Sequence, residues 1–407
     1  MNFVEAQTYL ESLIPKGFNL QLAPIQRACA LFNNPQNKFA SIHISGTNGK
    51  GSTAAFLSTI LQNSGYKVGL FTSPHLVDMT ERIQINRQPI ERTDFADLFN
   101  QVHKRLSKEN FLSYFEFITL QAFLYFEEQK VDVAVIETGL GGRLDATNVL
   151  EPLLTVITSI AKDHTRHLGS TLPKIAGEKC GIIKQGVPTV IAPQRKSVLN
   201  VIQQACAERS SQLFIASAPL TAVPLGLDGE HQQINASVAV EAANVLLKAG
   251  FAIKNIEDSL AKTKWAGRLE IVHENPTILL DGAHNVEGAK YLAKHLQTNY
   301  SPQETTLVMG AMADKDITGM LSQLSPGVGK IIFVPINSAR AANPEDLRFV
   351  GGSFLDQVQV AKGEVSEWLP KLISLTPPEE KLVIAGSLVL VGNVRSYLRG
   401  HAKKSIH

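Results

Sequence analysis

The chain has 407 residues, which is more than one hydrophobic core usually organises, so we expect two domains of unequal size. Hydrophobic residues make up 44% of the sequence and charged residues 19%, a balance that excludes a disordered or collagen-like chain. The net charge is only +2, which gives no long-range field for attracting nucleic acid or an anionic membrane. If a polyanion binds, local basic groups must hold it.

Other sequence features favour a cytoplasmic protein. Cys29, Cys180 and Cys206 are too few for a disulfide framework and include no paired metal-ligand spacing. The N-terminus lacks the basic-then-apolar pattern of a signal peptide. The longest apolar stretches, such as residues 131–136 and 153–160, fall far short of the ~20 residues that span a membrane. No basic stripe with interleaved aromatic residues indicates a nucleic-acid partner.

Short apolar runs alternate with helical patterns in the first part of the chain. Runs rich in β-branched residues predict strands at 42–45, 68–72, 131–137, 155–159 and 189–192. Apolar residues at helical spacing predict helices at 52–64, 115–129 and 236–249. This alternation predicts a mostly parallel sheet that is covered on both faces.

A second alternating series begins after Trp265. Strands are predicted at 277–280, 306–309, 330–334, 357–360 and 382–385, and helices at 286–298, 317–324, 365–374 and 391–399. Five strands with intervening helices over ~140 residues are typical of one Rossmann-like domain. We therefore expect an α/β protein with one domain at residues 1–266 and a smaller one at 267–407.

The sharpest motif is the glycine-rich segment 46–53, GTNGKGST, between a predicted strand and a predicted helix. Glycines there let backbone N–H groups converge on phosphate oxygens, and the helix N-terminus adds positive potential. Lys50 can reach the β and γ phosphates of a nucleotide, while the Ser52 hydroxyl can bind magnesium. The pattern differs from the ordinary P-loop because Ile44 stands at the first glycine position and Gly51 separates Lys50 from Ser52. The alternative is a glycine-rich turn with a chance lysine.

Polar residues follow three predicted strands, at the carboxyl ends where ligands gather in a parallel sheet. Glu137 ends a buried strand, and it is either a ligand of a hard cation or a residue that caps a helix or forms a surface ion pair. His164 follows the strand 155–159 and is either a ligand or an ordinary loop histidine. Together with Ser73, at the end of a neighbouring strand, these residues favour a metal site.

The segment 43–53, HISGTNGKGST, resembles the nucleotide loop of the Mur ligase superfamily of ATP-dependent carboxylate–amine ligases. Over nearly its full length the chain resembles the folylpolyglutamate synthase and dihydrofolate synthase family. The motifs that carry this resemblance lie at residues 72–76, 81–83, 115–119, 137–148, 163–165, 178–181, 267–268 and 281–285. The resemblance implies an N-terminal P-loop ATPase domain of the Mur ligase type, followed by a C-terminal Rossmann-like ligase domain.

The family resemblance also implies a reaction and its participants. ATP phosphorylates a substrate carboxylate, the amine of L-glutamate attacks the acyl phosphate, and an amide forms as phosphate leaves. The implied substrates are a folate or dihydropteroate together with L-glutamate, and the implied cofactors are ATP and Mg²⁺, with K⁺ as an additional candidate. The family precedent is a monomer, and the sequence itself predicts no nucleic-acid or membrane partner.

Site residues follow from the resemblance position by position. ATP contacts are implied for Thr47, Asn48, Gly49, Lys50, Gly51, Ser52, Asn235, Arg268 and Asp281. Metal ligands are implied at Ser52, Ser73, Glu137, His164 and Lys179. Catalytic roles are implied for Lys50, Glu137, His164, Lys179 and His284, and folate contacts for Arg82, Phe115, Glu116 and Thr119.

Several of these residues have an ordinary alternative. Lys179 is by default a solvated lysine near a helix end, whereas the resemblance implies a lysine carbamylated by carbon dioxide, an anion that bridges magnesium ions. Asn235 is either a helix N-cap or an ATP contact. The segment 114–119 is either an ordinary apolar helix start or a folate-facing motif whose aromatic ring stacks on a pterin.

The resemblance assigns three residues of the smaller domain to the nucleotide. An arginine fork such as Arg268 can grip phosphate oxygens, and Asp281 can accept hydrogen bonds from ribose hydroxyls. His284 resembles a family residue near the transferred phosphoryl group. Closure of the two domains is expected to bring these groups to the glycine-rich loop.

Two observations bear on the choice of substrate. Many bifunctional members carry Leu-Gly-Leu-Glu-Arg near the N-terminus, associated with dihydropteroate, whereas this chain has LQLAPIQ at residues 20–26. A monofunctional folylpolyglutamate synthase is therefore an open alternative. Only 45 residues precede Gly46, too few for the uridine-nucleotide domain of cell-wall ligases, which counts against a cell-wall enzyme. Another Mur-type carboxylate–amine ligase is an open alternative, and so is a nucleotide-binding regulatory module without catalysis.

Overall fold

The computed structural model describes residues 1–14, 21–106, 112–217, 219–221 and 223–404. Leu20, the first residue of the segment 20–26, lies outside these ranges. The chain forms two compact units, of which the first contains Met1–Gly226 and Gln232–Thr263 and the second contains Leu227–His231 and Lys264–His407. The short segment Leu227–His231 thus belongs to the second unit, although the residues before and after it belong to the first. Hydrophobic periodicity does not reveal this.

A mostly parallel sheet forms the centre of the first unit. Its strands are β1 (Ala40–Ser45), β2 (Val68–Phe71), β3 (Ile83–Ile85), β4 (Gln88–Pro89), β5 (Val133–Glu137), β6 (Leu154–Ile157), β7 (Thr189–Ile191) and β8 (Leu213–Ile215). The order of the eight strands among the described residues is β4-β3-β2-β5-β1-β6-β7-β8. Pairing is parallel from β2 to β8 and antiparallel where β3 joins β2 and β4. Every residue of β5 is buried, which explains its continuous apolar run.

Helices pack against this sheet and enclose hydrophobic cores. They are α1 (Phe3–Glu11), α2 (Ala23–Leu31), α3 (Lys50–Asn63), α4 (Arg92–Leu106), α5 (Tyr114–Glu128), α6 (Thr165–Leu168), α7 (Leu172–Cys180), α8 (Lys196–Glu208), α9 (Glu230–Lys248) and α10 (Ile256–Lys262). One core joins α1, α2, α4 and α5 to β5, and includes Phe99 and Phe123. Another joins α7 and α8 to β6 and β7. All three cysteines are free thiols buried in these cores.

The second unit has a sheet of its own. Its strands are β9 (Glu270–Glu274), β10 (Thr277–Leu280), β11 (Thr305–Met309), β12 (Lys330–Phe333), β13 (Val358–Val360) and β14 (Lys381–Ala385), in the order β13-β12-β11-β14-β10-β9. Its helices are α11 (Val286–Asn299), α12 (Ile317–Leu324), α13 (Pro344–Gly351), α14 (Val365–Leu375) and α15 (Leu388–Lys404). Only β9, at one edge, pairs antiparallel within the described sheet. No helix in the described part of the chain is long and apolar enough to cross a membrane.

Each strand and helix predicted from periodicity overlaps an observed element, so the α/β prediction is confirmed. One helix start was wrong. The pattern placed the start of a helix after Asn235, with Asn235 as a candidate N-cap, but α9 begins at Glu230 and Asn235 lies inside it. The first turn of α9 reads Glu-His-Gln-Gln, so the apolar repeat begins only later.

The C-terminal end of α7 lies tightly against the loop that follows β5. Arg143 N donates a hydrogen bond to Glu178 O at 2.8 Å. A Cβ atom added to Gly181, the C-cap residue of α7, would lie 2.3 Å from Arg143 Cα and 2.8 Å from Arg143 N. Gly177, one turn earlier in the same helix, has nothing within 4 Å of such an atom. The two glycines therefore form a matched pair, one at a close backbone approach and one in open space.

We expect Gly181→Ala to lower the free energy of unfolding by about 1–3 kcal/mol, because the added methyl group meets backbone that cannot move cheaply. Gly177→Ala should instead raise it by up to about 1 kcal/mol, because alanine is the better helix former. Urea unfolding followed by circular dichroism measures both changes. The same change in both variants would contradict the close approach of α7 to this loop.

Candidate active site

The glycine-rich loop of residues 46–49 follows β1, near the centre of the first sheet. β1 lies between β5 and β6, and the chain proceeds from it to β2 on one side and later to β6, β7 and β8 on the other. In the parallel register Ile44 lies opposite Glu137, and Ser45 lies opposite Ile157. Reversal of strand order around a central strand marks the place where open parallel sheets bind ligands. The loop, Glu137 and the segment after β6 therefore share one edge of the sheet.

Hydrogen bonds from the segment after β6 hold the glycine-rich loop. Thr47 N and Asn48 N donate to Ser159 O at 2.8 and 3.3 Å. Thr158 Oγ1 donates to Asn48 O at 2.8 Å. Gly49 has φ +86° and is the N-cap residue of α3, which begins at Lys50. A loop of this shape at a helix N-terminus is suited to phosphate binding.

Asn235 lies against this loop although it is far away in the sequence. A Cβ atom added to Gly49 would lie 2.2 Å from Asn235 Oδ1. Asn235 Nδ2 donates to Gln232 Oε1 at 2.9 Å, and Thr53 Oγ1 donates to Asn235 O at 3.5 Å. The structure thus brings together two residues that the sequence assigned separately to ATP.

A partly buried Lys50 and a buried Glu137 form an ion pair at the carboxyl edge. Lys50 Nζ lies 3.7 Å from Glu137 Oε1 and also donates to Thr47 O at 3.3 Å. The other carboxylate oxygen of Glu137 accepts a hydrogen bond from Ser73 N at 3.2 Å. The Glu137 side chain is only 5% exposed, so neither the N-cap nor the surface ion-pair alternative describes it. Ser52, in the first turn of α3, is also buried.

Lys179 is a buried lysine and not the solvated residue of the default interpretation. Its Nζ donates to Gly46 O at 2.6 Å, which ties α7 to the glycine-rich loop. Burial, and next the positive charge of Lys50, lower the pKa of Lys179 to about 7, while Asp163 and Asp145 act in the opposite direction. The ammonium form is therefore disfavoured at this position.

A buried polar network that sequence reasoning missed supports the loop after β5. Asp145 Oδ2 accepts from Leu140 N at 2.8 Å, and Asp145 Oδ1 accepts from Thr147 Oγ1 at 2.5 Å. Since the Thr147 hydroxyl donates to this carboxylate, it accepts from His43 Nε2, 2.8 Å away. Burial raises the pKa of Asp145, and hydrogen bonds led by Thr147 oppose the rise. A histidine in the middle of a buried strand was the one available signal for this network.

His164 follows β6 in a left-handed conformation, with φ 48°. Its Nε2 lies 4.0 Å from Asp163 Oδ1, and its side chain is 33% exposed. Asp163, which the sequence analysis placed in a family motif without a role, has a mostly buried carboxylate and accepts from His164 N at 2.8 Å. Its position next to the predicted ligand was the signal that could have revealed it.

The residues at this edge offer the chemistry that Mg²⁺ requires. Hydroxyl oxygens of Ser52 and Ser73 and the carboxylate of Glu137 are hard donors, which Mg²⁺ prefers alongside water and substrate phosphates. No group of three His, Cys, Asp or Glu side chains in the described ranges could hold a metal by itself. One carboxylate with hydroxyl groups nonetheless fits an ion that shares its coordination with a nucleotide.

Arg82 is buried near the end of β2 and is held by two side chains. Its Nε donates to His75 Nδ1 at 2.9 Å, and its guanidinium carbon lies 5.4 Å from the centroid of the Tyr114 ring. Burial lowers the pKa of Arg82, while Tyr114 and Glu137 act in the opposite direction. Burial, and next Arg82, lower the pKa of His75 to about 3, so its imidazole is neutral and Nδ1 accepts the hydrogen bond.

The other three predicted folate contacts lie in the first turns of α5. A Cβ atom added to Gly139 would lie 2.6 Å from the Phe115 ring, so this ring covers the exit of β5. Glu116 Oε2 accepts from Ser113 N at 2.8 Å in a capping box. Thr119 is buried, and its hydroxyl donates to Phe115 O at 2.8 Å. Glu116 and Thr119 thus have structural bonds within α5, and their contact with folate stays a prediction.

Arg268, Asp281 and His284 belong to the second unit and lie together around Gly282. Asp281 Oδ2 accepts from Leu269 N at 3.1 Å. A Cβ atom added to Gly282 would lie 2.0 Å from Arg268 Nη1, and His284 Nδ1 is 2.8 Å from Gly282 O. The structure therefore brings these three predicted residues together at the end of β10.

Comparison with known proteins agrees with this architecture. Residues 44–217 match the family model described as the Mur ligase middle domain, and residues 267–388 match the Mur ligase, glutamate ligase domain. The chain is 35% identical over 434 residues to a protein named dihydrofolate synthase/folylpolyglutamate synthase from Bacillus subtilis, an alignment that covers 98% of this chain and 99% of that relative.

Two solved structures are similar over almost the whole chain. Folylpolyglutamate synthase from Mycobacterium tuberculosis, complexed with ADP and AMPPCP, has a TM-score of 0.89 at 29% identity, covering 98% of this chain and 99% of the other. The E. coli protein FolC, in complex with DHPP and ADP, has a TM-score of 0.89 at 29% identity and covers 99% of both chains. With sequence identity above 30% to a full-length relative and this shared fold, the chain belongs to the dihydrofolate synthase/folylpolyglutamate synthase family of Mur ligases.

Proposed function

We propose that this protein is an ATP-dependent ligase that adds L-glutamate to folates, and to dihydropteroate to make dihydrofolate, through an acyl phosphate. The observation that carries the proposal is the pairing of Lys50 with Glu137 beneath a glycine-rich loop, in a chain similar to such ligases over 98% of its length. We also propose residues 1–266 as the ATP-binding domain and residues 267–407 as the C-terminal ligase domain. The protein acts on small molecules as a cytoplasmic monomer.

The chemistry requires two negatively charged reactants to meet. A carboxylate oxygen of the folate attacks the γ-phosphorus of ATP, which forms an acyl phosphate and releases ADP. The amine of glutamate then attacks the carbonyl carbon, loses a proton, and expels inorganic phosphate. Lys50 lowers the repulsion between carboxylate and triphosphate, and the glycine-rich loop holds the phosphates at the N-terminus of α3. Exclusion of water protects the acyl phosphate from hydrolysis.

We propose that Mg²⁺ is bound by Ser52, Ser73, Glu137, His164 and carbamylated Lys179. K⁺ is proposed as an additional cofactor. When bound, Mg²⁺ offsets the negative charge of the phosphates during transfer. The proposal for Lys179 is supported by its burial and by the positive charge of Lys50, which both disfavour an ammonium there. A carbamate at Lys179 would replace that cation with an anion.

The remaining nucleotide contacts extend the proposal to other elements. Asn235 lies against the glycine-rich loop and is proposed to contact ATP directly. In the second unit, Arg268 supplies a guanidinium for phosphate oxygens and Asp281 supplies a carboxylate for ribose hydroxyls. His284 is proposed to act near the transferred phosphoryl group.

Purified protein with ATP, Mg²⁺ and L-glutamate should release phosphate only when an acceptor substrate is added, because the acyl phosphate forms on that substrate. We expect release with tetrahydrofolate and also with dihydropteroate. Mass spectrometry of each product should show the mass of one added glutamyl group.

The two acceptors separate the alternatives. Release with tetrahydrofolate alone would identify a monofunctional folylpolyglutamate synthase. No folate-dependent release, with ATP binding retained, would refute the proposed ligase and favour a regulatory module. Omission of glutamate serves as the control, since turnover then has no amine to complete it.

Lys179→Ala should lower kcat/KM by about 100-fold or more, because it removes a group that we place among the reacting charges. Bicarbonate should not restore the variant, since no amine remains to be carbamylated. Steady-state phosphate release measures both effects.

Lys184→Ala is the matched control, since Lys184 is also a partly buried lysine just beyond α7, where its Nζ donates to Asn148 O at 3.1 Å. We expect a change of less than about threefold there, as for a residue that contacts no reactant. Full activity of Lys179→Ala would end the proposed role of Lys179.

A further inference from the structure

His43 is a polar side chain in the middle of a buried strand. It lies in β1 between Ile42 and Ile44, and all three residues are fully buried. Its Nε2 lies 2.8 Å from Thr147 Oγ1, whereas its Nδ1 is buried and has no hydrogen-bond partner among the described residues. A buried nitrogen without a partner lowers stability, so an apolar residue would suit the strand better. The presence of a histidine is therefore explained by the one hydrogen bond that it makes.

This hydrogen bond has a defined direction. The Thr147 hydroxyl has a single proton, which it donates to Asp145 Oδ1 at 2.5 Å, so it accepts from His43. The imidazole consequently carries its proton on Nε2. Burial, and next the charge of Lys184, lower the pKa of His43 to about 3, so the ring is neutral. His43 thus orients the Thr147 hydroxyl toward the carboxylate of Asp145.

Asp145 in turn organises the loop of residues 138–148, which follows β5. Its Oδ2 accepts from Leu140 N at 2.8 Å. β1 contacts the same loop a second time, because Ser45 Oγ donates to Gly141 O at 2.6 Å. The loop begins directly after Glu137, the last residue of β5. These bonds therefore fix the direction in which the chain leaves Glu137.

The loop of residues 138–148 contacts two other groups with proposed roles. A Cβ atom added to Gly142 would lie 2.8 Å from Lys179 O, and one added to Gly139 would lie 2.6 Å from the Phe115 ring. The glycine-rich loop is held separately, by hydrogen bonds to Ser159 O. Loss of the histidine bond should therefore disturb the loop after β5 and leave nucleotide binding intact.

We propose that His43 is a positioning residue for the ligase reaction, which holds the loop of residues 138–148 through Thr147 and Asp145 and so orients Glu137 and Lys179. His43 touches no reactant in this role. The inference rests on the proposed function and adds to it a residue outside the predicted site. Because His43 acts through one hydrogen bond, a side chain that donates from the position of Nε2 should replace it.

The test compares His43→Leu with His43→Gln. We expect kcat/KM for tetrahydrofolate to fall by about tenfold in His43→Leu, which has no donor, because one hydrogen bond is lost. It should stay within about threefold of the unmodified protein in His43→Gln, whose amide nitrogen reaches about as far as Nε2. KM for ATP should change by less than about twofold in both. Titration with a non-hydrolysable ATP analogue gives the concentration of active protein on which the rates are based.

Stability should follow the opposite order. In urea unfolding, His43→Leu should be at least as stable as His43→Gln, because glutamine buries an amide group that is only partly bonded. If His43 had a structural role alone, activity would follow stability, and His43→Gln would be the less active variant. The two orders therefore separate positioning from support of the fold.

A second pair of variants tests the next bond. Thr147→Val removes the hydroxyl and should lower kcat/KM about as much as His43→Leu, whereas Thr147→Ser keeps the hydroxyl and should stay within about threefold. The double variant of His43→Leu and Thr147→Val should lose little more than either single variant, since both changes break the same bond. Thr189→Val is the matched control. Thr189 is fully buried in β7, its Oγ1 lies 2.8 Å from Ser211 Oγ, and its loss should leave kcat/KM unchanged.

Three results would overturn the inference. They are an unchanged kcat/KM in folded His43→Leu, a lower kcat/KM in His43→Gln than in His43→Leu, and equal losses in Thr147→Val and Thr189→Val. If His43→Leu does not fold, the Thr147 variants decide. Any of these results, with folate-dependent phosphate release intact in the unmodified protein, refutes only the role of His43. Absence of that release in the unmodified protein refutes the proposed function instead.

Discussion

The ion pair between Lys50 and Glu137 links the ends of neighbouring strands in the first unit. β1 and β5 are adjacent parallel strands, so the residues that leave them must share one edge of the sheet. The buried carboxylate of Glu137 would be costly without Lys50. Because Glu137 also accepts from Ser73 N, the pair fixes the exit of β2 as well. The ends of β1, β2 and β5 thus meet at this ion pair.

Lys179 and Arg82 are buried near this edge, and they reduce the cost of a buried positive charge in different ways. Lys179 can lose its proton, and burial together with the charge of Lys50 moves its pKa to about 7. Arg82 cannot lose its proton in a protein, so it needs acceptors and an aromatic face instead. His75 and Tyr114 provide these without adding a negative charge. Lys179 can therefore change its charge, whereas Arg82 keeps a permanent positive charge.

The glycine-rich loop and Glu137 were predictable because each belongs to a local pattern. A strand followed by glycines, or by a carboxylate, indicates the ligand-binding edge of a parallel sheet from sequence alone. The network of His43, Thr147 and Asp145 was not predictable, because His43 and Thr147 are 104 residues apart and only the fold brings them together. The burial of Lys179 and the pairing of Arg82 with His75 depend likewise on packing. Periodicity locates the elements, but it does not identify the partners of polar groups inside them.

The pattern of close backbone approaches explains how these groups keep their positions. The side-chain amide of Asn235 occupies the space that a Cβ atom at Gly49 would need. Gly142 lies so near α7 that an added Cβ atom would be 2.8 Å from Lys179 O. Lys179 Nζ in turn donates a hydrogen bond to Gly46 O, in the glycine-rich loop. The glycine-rich loop, the loop after β5 and α7 consequently pack as one body. Charges that stabilise a transition state are effective only if they are oriented beforehand, so this packing is as much a part of the site as the charged side chains themselves.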